Sequence, residues 1–145
     1  MCAWRRVEKL EKQLVILTPQ ARERWSILVT MLEMSIDKIK KGKPYPVIIR
    51  PWEIDDKGHH TGSIRNAIDE MRNNRMLECR EDDVAPYDVS FSSDGIDRLF
   101  REIDVWKEMA KIESIDTSRR IMLEIIEKLL HELKSLIQRS VPQKS

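Results

Sequence analysis

At 145 residues, with 41% hydrophobic and 35% charged side chains, the chain is long enough to bury a core and too apolar to be disordered. Its apolar runs are far shorter than the roughly 20 residues that cross a bilayer, so we expect a cytoplasmic protein with neither a signal peptide nor a transmembrane segment. The two cysteines, Cys2 and Cys79, form no spaced framework, and reduced thiols are expected. The formal net charge is only +1.

Two amphipathic helices are predicted at the start of the chain. Residues 3–17 alternate apolar side chains at spacings of three and four, which is typical of a helix that packs on a partner. Thr18 and Pro19 are a cap and a first-turn residue of a second helix, which continues to about Lys41. The apolar stripe of this second helix consists of Trp25, Leu28, Met31, Leu32, Ile36 and Ile39.

The next segment breaks the helical pattern and then turns twice. Pro44 and Pro46 end the second helix, and residues 47–49 form a short β-type run. Pro51 can open a brief helix that Gly58 ends, because glycine adopts the backbone found just after a helix. Residues 59–61 then form a turn into another helix.

Residues 61–99 are predicted to form a helix, a two-stranded hairpin and the start of another helix. The helix carries four apolar side chains at i, i+3, i+4 and i+7, so one face is buried and the other polar. Residues 76–81 and 87–91 have strand composition, and the turn between them ends at Pro86. Ser92 is the predicted N-cap of the following helix. The four apolar side chains are Ile64, Ala67, Ile68 and Met71.

Two further helices are predicted to complete the chain. One runs from the cap at Ser92 to about Ile112, a break covers residues 114–117, and the last helix covers residues 118–139. The apolar face of the last helix spans three heptads and is too wide for a lone surface helix, so we expect a homodimer. Its main stripe consists of Met122, Ile126, Leu129, Leu133 and Leu136.

Two strings of sequence carry a family resemblance. IRNAIDEMRNNRMLE (residues 64–78) resembles the recognition helix and first wing strand of winged helix-turn-helix regulators. YDVSFSSDGIDRL (residues 87–99) resembles the segment that follows the wing in MarR and PadR-like regulators, where a Ser or Thr cap and a Gly lead into the next helix. In the turn between helix and strand these families usually have Gly, and here we expect Asn74 to adopt the left-handed backbone.

This resemblance implies a mainly α fold with a small β-hairpin, namely a winged helix-turn-helix core flanked by N- and C-terminal helices. Residues 1–145 are then one domain, with N-terminal helices in 1–43, the core and following helix in 44–113, and a dimerisation helix in 114–140. The implied function is that of a homodimeric, sequence-specific transcriptional regulator bound to double-stranded DNA.

The DNA-contacting residues would lie at and before the start of the recognition helix. Arg can bind guanine and Asn can bind adenine, each through two hydrogen bonds. The alternative is a solvated helix face on which Arg65 pairs with Asp69. The expected DNA-binding residues are Arg50, His59, His60, Thr61, Ser63, Arg65 and Asn66.

The charge distribution supports a second functional hypothesis. Residues 44–91 carry six basic and ten acidic side chains, and three acids, Glu81, Asp82 and Asp83, occupy the expected wing tip, where they would repel phosphates. A winged-helix module that docks on another protein within a transcription, replication or viral complex, without binding DNA directly, is therefore the alternative. For DNA binding, the missing phosphate contacts would come from Lys38, Lys40, Lys41, Lys43, Arg50 and Arg80.

Other chemistry has weaker support in the sequence. His59 and His60 raise the possibility of a metal site with Asp55, Asp56 or Cys79, but adjacent histidines point in different directions, so a turn pair without metal is favoured. No phosphate loop, nucleophile elbow or paired histidine–carboxylate motif is present, so neither an enzyme nor a cofactor is predicted.

Cys79 and the tryptophans are each assigned to the interior. Cys79 is expected to be a small buried strand residue, and the alternative is an exposed redox sensor, which an electropositive setting would favour. The tryptophans are expected in the core. For Trp52 alone, lining a ligand pocket is the alternative.

Overall fold

The computed structural model describes residues 19–79, 87–113 and 117–140, and there the chain is mainly helical with one small antiparallel sheet. The helix predicted over residues 3–17, the expected wing tip and the break at residues 114–116 lie outside the described residues. In the described part, no helix is long and apolar enough to cross a membrane. The elements are α1 (Pro19–Lys40), α2 (Pro51–Asp55), α3 (Thr61–Asn73), β1 (Glu78–Cys79), β2 (Val89–Ser90), α4 (Ser93–Glu113) and α5 (Thr117–Ser140).

The core is built where α1 and α4 pack against α5, and α3 closes it from the side of α1. Trp25 of α1 stacks on Trp106 of α4 with ring centroids 5.3 Å apart, so both tryptophans are buried as predicted. Fully burying a large aliphatic side chain contributes about 1.5–3 kcal/mol. The largest fully buried side chains are Ile27, Met31, Leu32, Ile49, Ile54, Ile64, Ile68, Ile96, Leu99, Ile103, Ile126 and Leu130.

The last helix, α5, packs most of its wide apolar face against its own chain. Within the stripe predicted to form a dimer, Ile126 and Leu133 are fully buried, and Met122, Leu129 and Leu136 pack partly buried against the same core. The width of the face therefore follows from intramolecular packing against α1 and α4. The large hydrophobic side chains of α5 that stay exposed are Ile121 and Ile125.

The small sheet joins three separate segments of the chain. β1 and β2 pair antiparallel, with Glu78 opposite Ser90 and Cys79 opposite Val89. Ile49 adds a bridge to Val89, with backbone N–H to O distances of 2.7 and 3.0 Å. The predicted β-type run at residues 47–49 therefore does pair with the hairpin, although both hairpin strands are shorter than predicted.

A close junction connects the end of α3 to the start of α4. The prediction that Asn74 adopts the left-handed backbone is wrong: Asn74 has φ −93°, and Arg75 has φ 61°. Asn74 is the C-cap of α3, and its side-chain Nδ2 donates back to the Glu70 carbonyl (2.8 Å). The reversal follows one residue later, where Arg75 N–H donates to Arg72 O (3.0 Å) and Met76 N–H to Met71 O (2.9 Å), the pattern of a Schellman motif.

Two side chains assigned to the interior are exposed instead. Trp52 is 59% exposed because α2 is only five residues long and directs Ile54, which is fully buried, toward the core. Cys79 is also exposed, since Met76 and Leu77 make the core contacts before the two-residue strand begins. Both assignments to the core are therefore wrong.

Gly95 is expected to be essential to the junction between α3 and α4. A Cβ atom at this position would lie 2.1 Å from the Met76 carbonyl oxygen, and backbone atoms must shift to admit it. We expect Gly95→Ala to lower the free energy of unfolding by about 1–3 kcal/mol, the usual cost of overpacking, in urea denaturation.

The matched control is Gly62→Ala in α3. There the added Cβ would meet only the His60 side chain, at 3.3 Å, and alanine favours a helix by up to about 1 kcal/mol, so we expect no loss of stability. Equal urea midpoints for wild type and Gly95→Ala would contradict the tight junction.

Candidate functional site

The surface face of α3 is the candidate site, because its opposite face is fixed in the core. The four predicted apolar side chains are buried, with Ile64, Ala67 and Ile68 at 0% exposure and Met71 at 7%. The first two turns therefore present polar groups outward. Thr61, Gly62, Arg65 and Asn66 are exposed, and Ser63 is half-buried.

The two histidines before α3 hold the start of the helix in place. His60 is the N-cap, and its Nδ1 accepts a hydrogen bond from the Gly62 N–H (3.2 Å). His59 Nε2 lies at hydrogen-bond distance, 2.8 Å, from the Thr30 hydroxyl, which is also 3.0 Å from the Ser26 carbonyl. The two rings thus point to different partners, and both have structural roles beside the expected DNA contacts.

Arg65 is positioned by an aromatic side chain that the sequence analysis did not assign to the site. Its guanidinium carbon lies 5.4 Å from the centroid of the Tyr87 ring. The Tyr87 hydroxyl lies 3.5 Å from an Asp69 carboxylate oxygen, a weak hydrogen bond that ties the ring back to α3. A cation–π contact at an exposed site contributes about 0.5–1 kcal/mol and leaves the N–H donors of the guanidinium open. The sequence feature that could have identified Tyr87 is its position as an aromatic residue at the start of the second predicted strand.

A partly buried ion pair anchors α2 to α1. Lys38 Nζ donates to both carboxylate oxygens of Glu53 (2.7 and 2.8 Å) and to the Ile48 carbonyl (2.8 Å). Burial alone would raise the pKa of Glu53, but the Lys38 ammonium and the Arg50 backbone N–H (2.8 Å) more than offset it, so this pKa is lowered. Lys38 is therefore a structural residue.

The other basic residues expected to contact phosphates are distributed less favourably than predicted. Lys40 pairs with Glu132 of α5 (2.8 Å), and Lys41 pairs with Asp37 on its own helix (2.9 Å). Lys43 is exposed, and Arg80 lies outside the described residues. The basic run at residues 38–43 thus does not extend the α3 face as a continuous strip of free cations.

Arg50 is the remaining predicted site residue, and it lies beside the hairpin. Its Nε is 3.7 Å from an Asp88 carboxylate oxygen, a loose ion pair whose arginine side chain is 43% exposed. Its backbone caps α2 through Glu53. The structure therefore brings Arg50 next to the segment that also carries Tyr87.

Low pH should weaken the ion pair between Lys38 and Glu53, which joins α1 to α2. Because the pKa of Glu53 is lowered in the folded state, its contribution to stability is present above the unfolded value of 4.5 and is lost as pH falls below it. At pH 7 we expect Glu53→Gln to lower the free energy of unfolding by about 1–3 kcal/mol, since a charged hydrogen-bond acceptor is lost.

The measurement is urea denaturation of wild type and Glu53→Gln from pH 7 down to pH 3. The difference between them should shrink as pH falls below about 4.5, because Glu53 protonates first in the unfolded chain and, at lower pH, in the folded protein. Glu33→Gln, at an exposed position of α1, is the control and should change stability little at any pH. A difference that stays constant with pH would contradict the role of the Glu53 charge.

Within the described residues, the exposed face of α3 is thus the candidate functional site. Across residues 19–79, 87–113 and 117–140, no three His, Cys, Asp or Glu side chains come together as a metal site would require. In comparisons with known proteins, no protein-family model, curated protein or solved structure matches the chain.

Proposed function

We propose that the protein is a winged helix-turn-helix regulator that binds double-stranded DNA sequence-specifically. The order of elements supports this, since α2, a turn and α3 are followed by the hairpin of β1 and β2. The bridge between Ile49 and Val89 adds the third extended segment that many winged helices pair with the hairpin. In this arrangement α3 is the recognition helix and enters the major groove.

The observation that carries the proposal is the composition of the exposed first two turns of α3. Arg65 and Asn66 stand side by side there, and these residue types bind guanine and adenine respectively through two hydrogen bonds. The Tyr87 ring limits the positions that the Arg65 guanidinium can take. Fixing a long side chain before binding lowers the entropy lost on binding, which favours a specific contact.

We further propose that the protein acts as a homodimer through its C-terminal helices. Ile121 and Ile125 are one turn apart on α5, at 49% and 42% exposure, and a second copy would cover them by placing the same patch opposite. Such a dimer would present two α3 helices to half-sites about 34 Å apart, one turn of DNA.

A protein-docking module is the second candidate function, and the exposure of Trp52 favours it. Tryptophan is enriched among the residues that carry binding energy at protein interfaces, and Trp52 is the most exposed large hydrophobic side chain in the described part of the chain. The acidic sequence at residues 81–83 would suit a basic partner.

DNA binding is tested by fluorescence anisotropy with a random-sequence duplex at low salt, followed by selection of preferred duplexes from a random pool. We expect wild type to bind, and Arg65→Ala to weaken binding to the selected duplex by about tenfold, since a good base contact contributes about 1–3 kcal/mol. Arg139→Ala removes another exposed arginine, from the end of α5, and is the control.

Two outcomes would contradict the proposal. If wild type binds no duplex even at high protein concentration, the docking module becomes the better explanation. If Arg65→Ala and Arg139→Ala weaken binding equally, α3 does not read the bases.

The homodimer is tested by sedimentation at micromolar concentration. Wild type should sediment at twice its chain mass of 17.2 kDa, and the double variant Ile121→Asp, Ile125→Asp should sediment as a monomer because a charge cannot be buried unpaired in the interface. Gln138→Asp, exposed near the other end of α5, should remain dimeric. A monomeric wild type would refute the dimer.

A further inference from the structure

The junction between α3 and α4 forms an open groove with an excess of arginine, which we call the junction groove. It lies beyond the C-terminal end of α3, and its volume is about 390 Å³. None of its residues was among the predicted site residues, because they come from two segments about 20 residues apart. The groove is lined by Asn73, Asn74, Arg75, Asp94, Arg98 and Arg101.

The arginines of the junction groove are poorly neutralised by the protein. Within the described residues, Arg75 and Arg101 have no carboxylate at ion-pair distance, and Arg98 has only Glu102, at 3.7 Å on its own helix. Such a pair along a helix contributes only about 0.2–0.5 kcal/mol. Asp94 is the one acid among the lining residues, which include three arginines. A guanidinium offers paired N–H donors that match the oxygens of a phosphate.

The backbone that carries these arginines is held in place before any ligand binds. Arg75 occupies the left-handed position of the Schellman motif, and Gly95 packs so closely on the Met76 carbonyl that no Cβ fits. The first turn of α4 is capped by Ser92, whose Oγ accepts a hydrogen bond from the Gly95 N–H (2.9 Å). The two segments of the groove therefore keep a fixed separation.

The position of the groove along α3 indicates where its ligand comes from. Asn73 is seven residues after Asn66, so the two asparagines share one exposed face of the helix. The 13 residues of α3 span roughly 20 Å, whereas the major groove of DNA is about 12 Å wide. When the first turns of α3 lie on the bases, the C-terminal end of α3 reaches the phosphates that flank the major groove.

We propose that the junction groove binds a backbone phosphate of the same DNA duplex whose bases face Arg65 and Asn66. This inference rests on the proposed DNA-binding function. The contact supplies affinity without sequence preference, because phosphates are the same at every step. It also provides basic phosphate contacts that the acidic sequence at residues 81–83 lacks.

The test is the salt dependence of duplex binding by the double variant Arg98→Ala, Arg101→Ala, measured by anisotropy over a series of KCl concentrations. We expect affinity to fall about tenfold at low salt, by the same factor for random and selected duplexes. The slope of log K against log[salt] should become shallower by about 1, because each phosphate contact contributes about 0.9.

Two further double variants keep the result interpretable. Lys111→Ala, Arg139→Ala removes the same charge from exposed positions away from the groove and should leave the slope unchanged. Arg98→Lys, Arg101→Lys keeps the charge and should retain the wild-type slope, since lysine also binds phosphate as a point charge. Thermal unfolding of each variant shows that it is folded.

The outcomes separate this inference from the function on which it rests. If wild type binds DNA and the alanine variant keeps the wild-type slope, the junction groove does not bind a phosphate. In that case α3 remains the proposed DNA-binding element. A loss of affinity confined to the selected duplex also overturns it, because a phosphate contact cannot discriminate sequence. No binding by wild type overturns both proposals.

Discussion

The burial of one face of α3 is the constraint on which the candidate site depends. Ile64, Ala67, Ile68 and Met71 leave water together, and a helix with 3.6 residues per turn then has no freedom to rotate. This packing sets the direction in which Arg65 leaves the helix, and the Tyr87 ring then positions its guanidinium. An exposed polar residue on α3 could change with little effect on folding, whereas a change in the buried stripe would alter both the core and the direction of the site.

The same logic explains which features were predictable from the sequence. The buried stripe and the Ser92 cap depend on residues within two helical turns, so the spacing of side chains was sufficient to find them. Trp52 and Cys79 were misassigned because their exposure depends on which distant segments cover a short element, and periodicity says nothing about that. The left-handed residue was displaced from Asn74 to its neighbour because the asparagine amide bonds back to the helix, a choice that propensity alone does not reveal.

The candidate site shows a similar division between local and distant information. Arg65 and Asn66 could be singled out because they lie on one predicted helix face. Tyr87, Arg98 and Arg101 could not, since they reach the end of α3 or its exposed face only through the packing of the hairpin and of α4. Lys38 was wrongly grouped with solvent-exposed cations because its partner, Glu53, is 15 residues away in sequence.

Ion pairs within the fold compensate part of the acidic charge around α3. Residues 44–91 carry more acids than bases, which by itself disfavours a nucleic acid. Yet Glu53 is bound by Lys38, Glu70 by Arg24 and Asp88 by Arg50, so three of these acids are compensated within the fold. The guanidinium groups of Arg65 and of Arg75 at the junction groove have no such carboxylate in the described residues, and they remain available to an anion. Three acids of this stretch thus serve to position the helices, while the guanidinium groups of Arg65 and Arg75 stay open to an anion.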